Sequence, residues 1–182
     1  MTAGLIYKYN AFMRKKERFL VTYATKGGST FDVAEKIGHV IKEKGYDVKV
    51  LPVKGVEEIK SYNAVVVGSG VRAGRLYSEA VNFVKKHQED LANIPVAYFI
   101  DSLTMSVENE KARATAEGYL NPLKKIVSPK ETALFAGRLQ MKKVPLHLRL
   151  VLKIMKVKEG DYRKWDQISA WAESLPGNLL AN

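Results

Sequence analysis

The amino-acid sequence predicts a doubly wound α/β fold built on a five-stranded parallel sheet. Short runs of β-branched and aromatic residues alternate with segments of helical periodicity along the chain. Residues 63–68 form an almost uninterrupted apolar run, which is typical of a strand buried on both faces of a parallel sheet. The chain has 182 residues and no long linker, so it fits a single such domain.

Each element of this prediction has its own local signal. The β-rich runs predict strands at 19–24, 47–53, 63–68, 95–100 and 132–136. Helical spacing predicts helices at 30–44, 77–87, 108–126 and 164–175. Gly45 is a natural stop for the first helix. Trp165 and Trp171 share the last helix, and we expect both in the core.

Composition and charge exclude several classes of protein. The chain contains no cysteine, which excludes disulfides, thiolate metal sites and cysteine nucleophiles and suits a reducing cytoplasm. No carboxylate–histidine spacing indicates a metal site, and no apolar run approaches the ~20 residues of a membrane span. The net charge is +11, yet residues 19–137 carry 16 basic and 14 acidic side chains. A nearly neutral body argues against a nucleic-acid partner.

The loop between the first strand and the first helix is the strongest candidate for a binding site. It consists of Thr25, Lys26, Gly27, Gly28, Ser29 and Thr30. The glycines allow close approach of the backbone, the hydroxyls can donate hydrogen bonds, and the helix N-terminus favours a phosphate. The loop has neither the Walker A ending nor the dinucleotide pattern GxGxxG. An ordinary capped helix after a glycine turn remains the alternative for a loop of this kind.

Two passages resemble known proteins. The pattern Tyr23-x-Thr25-x-x-Gly28-x-Thr30 resembles the flavodoxin phosphate-loop signature, with Thr22 a polar departure. Residues 67–75, 83–87, 95–99 and 162–168 resemble the menaquinone-dependent protoporphyrinogen oxidase group of flavodoxin-like proteins. The resemblance covers about residues 18–176. It implies a flavodoxin-like sheet of strand order 2-1-3-4-5, an N-terminal extension at 1–17, an FMN-binding domain at 18–176 and a basic helical insertion at 138–160 before the last helix.

The resemblance also assigns residues to the cofactor, FMN. Its phosphate is assigned to the loop 25–30. The residues that follow the third strand are assigned to the isoalloxazine ring: Ser69, Gly70, Val71, Arg72 and Gly74. Those that follow the fourth strand are assigned to the opposite lip: Ser102, Leu103, Thr104 and Met105. Ordinary flavodoxins often place an aromatic side chain on this lip, and its absence here could leave one flavin face open to a substrate.

The function implied by the resemblance is that of an FMN-dependent oxidoreductase. A reduced tetrapyrrole would give hydride to FMN, and a quinone would reoxidise the flavin. No side chain is expected to be catalytic, because the flavin carries the chemistry. Arg72 is either a ligand of the flavin or of a substrate carboxylate, or a solvated surface residue. The alternatives are a flavodoxin-type electron carrier that serves a redox partner protein, and a flavin-binding adaptor at a membrane surface.

The second informative segment is 138–158, which contains seven basic and no acidic residues. On a helix that begins at Pro145, Arg149, Lys153 and Lys156 form one basic stripe, and apolar residues cover most of the remaining surface. Such a helix can lie in the interface of an anionic membrane. We therefore expect a cytoplasmic protein that contacts the inner face of the cell membrane peripherally. A helix packed on the body of the protein or in a homodimer is the alternative.

Overall fold

The predicted parallel sheet is confirmed in the computed structural model, which describes residues 16–107, 109–144, 146, 149 and 158–181. Its strands are β1 (Arg18–Ala24), β2 (Asp47–Pro52), β3 (Ala64–Arg72), β5 (Val96–Ser102) and β6 (Glu131–Ala136), with β4 (Arg75–Leu76) as a short addition. The parallel strands lie in the order β2-β1-β3-β5-β6, which corresponds to 2-1-3-4-5 when β4 is left out. In the register of the sheet, Val66 of β3 lies between Val21 of β1 and Ala97 of β5.

Two strands run further than their sequence patterns predict. We expected the third strand to end at residue 68, but β3 continues to Arg72, so Ser69, Gly70 and Val71 belong to the strand rather than to a following loop. The reason is a hairpin, because β4 pairs antiparallel with the end of β3. Ala73 and Gly74 have φ values of 50° and 73° and form its two-residue turn, as in a type I′ turn. β5 likewise continues to Ser102.

The helices follow the predicted order with three differences, the first of which is an additional short helix at Gln88–Leu91. They are α1 (Ser29–Glu43), α2 (Ser78–Lys86), α3 (Gln88–Leu91), α4 (Glu110–Tyr119), α5 (Asn121–Lys124) and α6 (Trp165–Leu180). The single helix predicted at 108–126 is divided at Leu120, since Pro122 suits only the first turn of a new helix. The last helix continues beyond residue 175 and includes Pro176, because Leu175 and Leu179 extend its buried face.

Helices cover both faces of the sheet. On one face α1 and α6 pack against alternate strand residues such as Val66 and Phe99. On the other face α2 to α5 pack against the intervening residues, among them Val65. Trp171 contacts Phe99 and Phe135, whereas Trp165 is exposed, so the prediction that it lies in the core is wrong. Trp165 begins α6, and its ring stacks instead on the guanidinium of Arg163 at 4.4 Å.

The basic insertion leaves and rejoins the body through a short ribbon. Its two strands, β7 (Arg138–Leu139) and β8 (Gly160–Asp161), pair antiparallel. The helix predicted from Pro145, with Lys153 and Lys156, lies outside the described residues apart from 146 and 149. Leu146 is 79% exposed, and the Arg149 guanidinium donates hydrogen bonds to the carbonyls of Val144 and Lys142. Within the described ranges, no helix is long and apolar enough to cross a membrane.

Candidate cofactor site

A cavity of about 340 Å³ opens at the carboxyl edge of the sheet, where a doubly wound fold binds its ligands. Segments that follow β1, β3, β5 and β6 form its walls. Nine of the predicted site residues line it: Thr25, Lys26, Gly27, Ser29, Thr30, Gly70, Val71, Arg72 and Leu103. Six others lie beside or beneath these residues without lining the cavity: Gly28, Ser69, Gly74, Ser102, Thr104 and Met105. The cavity thus joins the loop after β1 to the hairpin after β3.

The loop after β1 has the geometry of an anion cradle. Gly28 has φ of 85°, a left-handed conformation that glycine adopts without strain, and it precedes the first turn of α1. Its N–H donates a hydrogen bond to Thr25 Oγ1 at 3.0 Å, which folds the loop back on itself. A Cβ atom at Gly27 would meet nothing within 4 Å, so the backbone there borders open space. The N-terminus of the 15-residue helix α1 therefore points its positive end at the cavity.

Ser29 is engaged with the protein itself. Its hydroxyl donates a hydrogen bond to Asp101 Oδ2 at 2.5 Å and accepts one from the Arg138 N–H at 3.2 Å. Since a hydroxyl has a single proton, this arrangement commits the Ser29 proton to Asp101. The hydroxyls of Thr25 and Thr30 remain as the lining hydroxyl donors of the loop, beside the ammonium group of Lys26.

The end of β3 approaches the loop closely at Gly70. A Cβ atom at this position would lie 2.9 Å from the Tyr77 ring and 3.0 Å from Thr30 Oγ1, so only glycine fits without displacement. Beneath it, buried Ser69 accepts a hydrogen bond from the Tyr77 N–H at 3.1 Å. Lys26 Nζ lies 5.6 Å from the centroid of the Tyr77 ring, which places a cation–π contact across the cavity wall.

The lip after β5 is only partly directed at the cavity. Leu103 lines it, but the Ser102 hydroxyl is buried and accepts a hydrogen bond from the Thr104 N–H. The Thr104 hydroxyl lies 3.2 Å from the Tyr119 hydroxyl, and Met105 packs against the core on the α2–α5 face. Ser102 and Thr104 thus stabilise the shape of the lip, while Leu103 supplies its apolar surface.

Sequence reasoning missed several lining residues. They are Ala73, Tyr77, Asp101, Gly137, Arg138, Leu139, Gln140 and Val144. Asp101 carried a usable signal, because an acidic residue at the carboxyl end of a buried strand points to the ligand edge of the sheet. Burial raises the pKa of Asp101 to about 6, against the opposing effects of the Ser29 hydrogen bond and the charges of Arg163 and Arg138. The segment after β6 carried no comparable signal.

A network of ion pairs supports the cavity from below. The buried Arg163 guanidinium binds both carboxylate oxygens of Asp161, at 2.8 and 2.6 Å, and also Asp32 Oδ2 at 2.8 Å. Arg138 pairs with the same Asp32 oxygen at 3.2 Å. Because Asp32 lies in the first turn of α1, the network ties the ribbon of the insertion to the candidate phosphate site. The hydrogen bonds from Arg163 lower the pKa of Asp161.

These features fit a ligand that ends in a phosphate. The glycine cradle, the helix N-terminus and the close approach at Gly70 leave room for an anionic group and for a flat apolar one beside it. Together with the strand order, they define a protein of the flavodoxin class. A family model described as a flavodoxin domain matches residues 20–164, and the chain belongs to that family. The predicted cofactor, FMN, is supported by this family assignment.

Curated relatives cover most of the chain. A protein of Escherichia coli K12 named protoporphyrinogen IX dehydrogenase (quinone) is 27% identical over 169 residues, which are 86% of this chain and 93% of that protein. A Leishmania major protein of the same name is 26% identical over 176 residues, which are 89% of this chain and 76% of that protein. These relatives support an oxidoreductase.

Solved structures agree on the fold. A flavodoxin from the domain Archaea superposes with a TM-score of 0.55 at 16% identity, over 90% of this chain and 99% of that one. A Fusobacterium nucleatum flavodoxin bound to flavin mononucleotide gives a TM-score of 0.55 at 14% identity, over 90% and 99% of the two chains. At such identities the likeness describes the architecture of the sheet and its helices.

Proposed function

We propose that this protein is an FMN-dependent oxidoreductase that oxidises a reduced tetrapyrrole of the protoporphyrinogen type and passes the electrons to a quinone. The observation that carries the proposal is the extended similarity to two proteins of that name, combined with a cavity that joins the phosphate loop to an open rim. When bound, FMN supplies a two-electron acceptor for hydride.

The residues of the chain would bind the cofactor and orient it towards the substrate. Thr25, Gly27 and Thr30, together with the N-terminus of α1, would hold the phosphate of the cofactor. Val71 and Leu103 would supply apolar surface to its ring. The lip at 102–105 carries no aromatic side chain, so a planar substrate could approach the ring without displacing one.

Arg72 is the candidate substrate contact. It is exposed at the rim of the cavity, and no carboxylate of the described residues lies within ion-pair distance of it. Guanidinium groups bind carboxylates bidentately, and a propionate-bearing tetrapyrrole offers such groups. Arg75 faces Arg72 across the hairpin but does not line the cavity, which makes it a matched control.

Two assays of the FMN-loaded protein test the proposal. In the first, protoporphyrinogen IX and menaquinone are added together as electron donor and acceptor. In the second, the flavin is reduced anaerobically and a ferredoxin-like partner is added. We expect rapid turnover with the first pair. Arg72→Ala should raise KM for the tetrapyrrole about tenfold, the value of roughly one lost charge-assisted hydrogen bond, while Arg75→Ala should leave it within twofold. Exchange with the protein partner alone would instead establish an electron carrier. Release of FMN by Arg72→Ala would assign that residue to the cofactor.

Peripheral membrane contact through 138–158 is a separate part of the proposal. Its support is the uniform positive charge of the segment and the exposure of Leu146 within it. We expect the protein to sediment with anionic liposomes at low salt and less so when salt is added. The attraction should amount to about 1 kcal/mol for each basic residue near the membrane surface. Deletion of residues 142–156 should reduce this sedimentation and spare FMN binding. An intact protein that ignores anionic liposomes at low salt would favour a helix packed on the body or in a homodimer.

A further inference from the structure

Asp101 is a carboxyl group buried in the wall of the cofactor cavity. It ends the parallel pairing of β5 with β3, opposite Gly70, and its side chain is 6% exposed. Its Oδ2 atom lies 2.5 Å from the hydroxyl of Ser29, the first residue of α1. On the far side, a Cβ atom at Gly137 would come within 3.0 Å of Oδ1. The carboxyl is therefore enclosed by protein and lies one hydrogen bond away from the helix end that would hold a phosphate.

The charges around Asp101 are already balanced without it. Arg138 and Arg163 are paired with Asp32 and Asp161, so these four groups sum to zero. No cation of the described residues lies within ion-pair distance of the Asp101 carboxyl, whose one side-chain hydrogen bond comes from neutral Ser29. A negative charge on Asp101 thus has no ion-pair partner of its own and lies next to the site of a second anion.

We infer that Asp101 takes up a proton when the phosphate-bearing cofactor binds, so that the cavity holds FMN with this carboxyl neutral. A second negative charge in a shared site disfavours the ionised form of a buried carboxyl and raises its pKa. The phosphate is favoured as an anion by the helix N-terminus, so the carboxyl is the group that takes up the proton. The inference rests on the proposed placement of FMN in this cavity.

The electrostatics of the cavity without ligand support this inference. Burial already raises the pKa of Asp101 to about 6, so a nearby phosphate needs to raise it little further to keep the group neutral at pH 7. The groups that act on it are Arg163 and Arg138, which lower its pKa, and Asp161, which raises it. Tyr77 also faces it, but its own pKa is raised from an already high value, so it stays neutral over the same range.

The consequence is a pH-dependent affinity for FMN. When Asp101 is ionised, the protein must take up a proton in order to bind FMN. This uptake becomes less favourable as the pH rises above the pKa of Asp101 in the protein without FMN. Each unit by which binding raises the pKa corresponds to a factor of ten in affinity. For a rise of one to two units from a pKa of about 6, we expect the wild type to lose roughly 5-fold to 25-fold more affinity between pH 6 and pH 8 than a variant that cannot ionise.

The experiment measures the dissociation constant of FMN by flavin fluorescence from pH 5.5 to 8.5. Asp101→Asn mimics the neutral carboxyl and keeps an acceptor for Ser29, so it should bind FMN more tightly than the wild type at pH 8. The phosphate of free FMN titrates near pH ~6, and this contribution of the free ligand is common to both proteins. Glu117→Gln, which neutralises an exposed carboxylate on α4, is the matched control and should follow the wild type.

Calorimetry gives a second readout that does not depend on activity. Titration with FMN at pH 7.5 in two buffers of different ionisation enthalpy should reveal a larger proton uptake by the wild type than by Asp101→Asn, roughly 0.2 proton for a pKa rise of one unit and roughly 0.7 proton for a rise of two. Ser29→Ala removes the hydrogen bond that favours the ionised carboxyl, so the midpoint of the pH dependence should move to higher pH. This variant also keeps the test decisive if Asp101→Asn does not fold.

The outcomes separate the inference from the placement on which it rests. If Thr30→Val leaves FMN affinity unchanged, the cofactor does not use this loop and the placement fails. If Thr30→Val weakens binding, but wild type and Asp101→Asn share one pH profile and one proton count, the placement stands and the inference is overturned.

Discussion

The ion-pair network under the cofactor cavity leads to a quantitative prediction for Arg163→Met. Methionine keeps much of the length of the side chain but leaves two carboxylates, on Asp32 and Asp161, without their main partner. Removing one member of a buried pair costs about 3–5 kcal/mol. Here the partner carboxylates are 33% and 41% exposed, so water compensates part of the loss. We expect a destabilisation of about 2–3 kcal/mol at pH 7.

Urea denaturation monitored by tryptophan fluorescence measures this loss, and thermal unfolding should show a fall in Tm of roughly 5–10 °C for a chain of this size. The matched control is Arg113→Met on α4, where the arginine and its partner Glu117 are 67% and 53% exposed. A pair of that kind contributes less than about 0.5 kcal/mol. Equal destabilisation by the two substitutions would refute the view that Arg163 holds the ribbon to α1.

The pH dependence gives an independent check on the same prediction. Hydrogen bonds from Arg163 lower the pKa of Asp161 in the folded protein below the ordinary value of 3.8. The stabilisation from this pair is therefore present above pH ~4 and lost as the pH falls through the lowered pKa. The stability difference between wild type and Arg163→Met should shrink in acid. A difference that stays constant down to pH 3 would mean that the loss comes from packing alone.

Two further substitutions test the cofactor loop and the core. Thr30→Val removes one hydroxyl donor and should weaken FMN binding by about 1–3 kcal/mol, measured by flavin fluorescence, while Thr115→Val on the exposed face of α4 should not change it. Gly68→Ala would drive a methyl group into the buried ring of Phe99 and should destabilise the protein by about 2–3 kcal/mol in urea. Gly118→Ala lies in a helix with open space around it and should be neutral or slightly stabilising. A Gly68→Ala variant that is more stable in urea than Gly118→Ala would contradict the close contact between Gly68 and Phe99.

The local patterns of the chain predict the sheet and the phosphate loop because both depend on short-range chemistry. The continuous apolar run of β3 and the stripe of α1 with its period of 3.6 residues are patterns that neighbouring residues reveal. The residues at which these strands and helices end are harder to predict from local patterns. The end of β3 was misplaced by four residues, because its extension depends on pairing with β4 beyond the turn at Ala73 and Gly74.

The sequence by itself determined the fold class, the family and the segment that would hold a phosphate, since all three are carried by contiguous residues. Only the tertiary structure brought Asp101 to the hydroxyl of Ser29, which lies 72 residues earlier in the chain. It likewise joined Arg163 to Asp32 across 131 residues. Such contacts leave no periodic pattern in the sequence. Two groups that meet at a sheet edge can be any distance apart along the chain, because that distance depends on the lengths of the helices between them. The charge state of the cavity was therefore decided by the packing of distant elements.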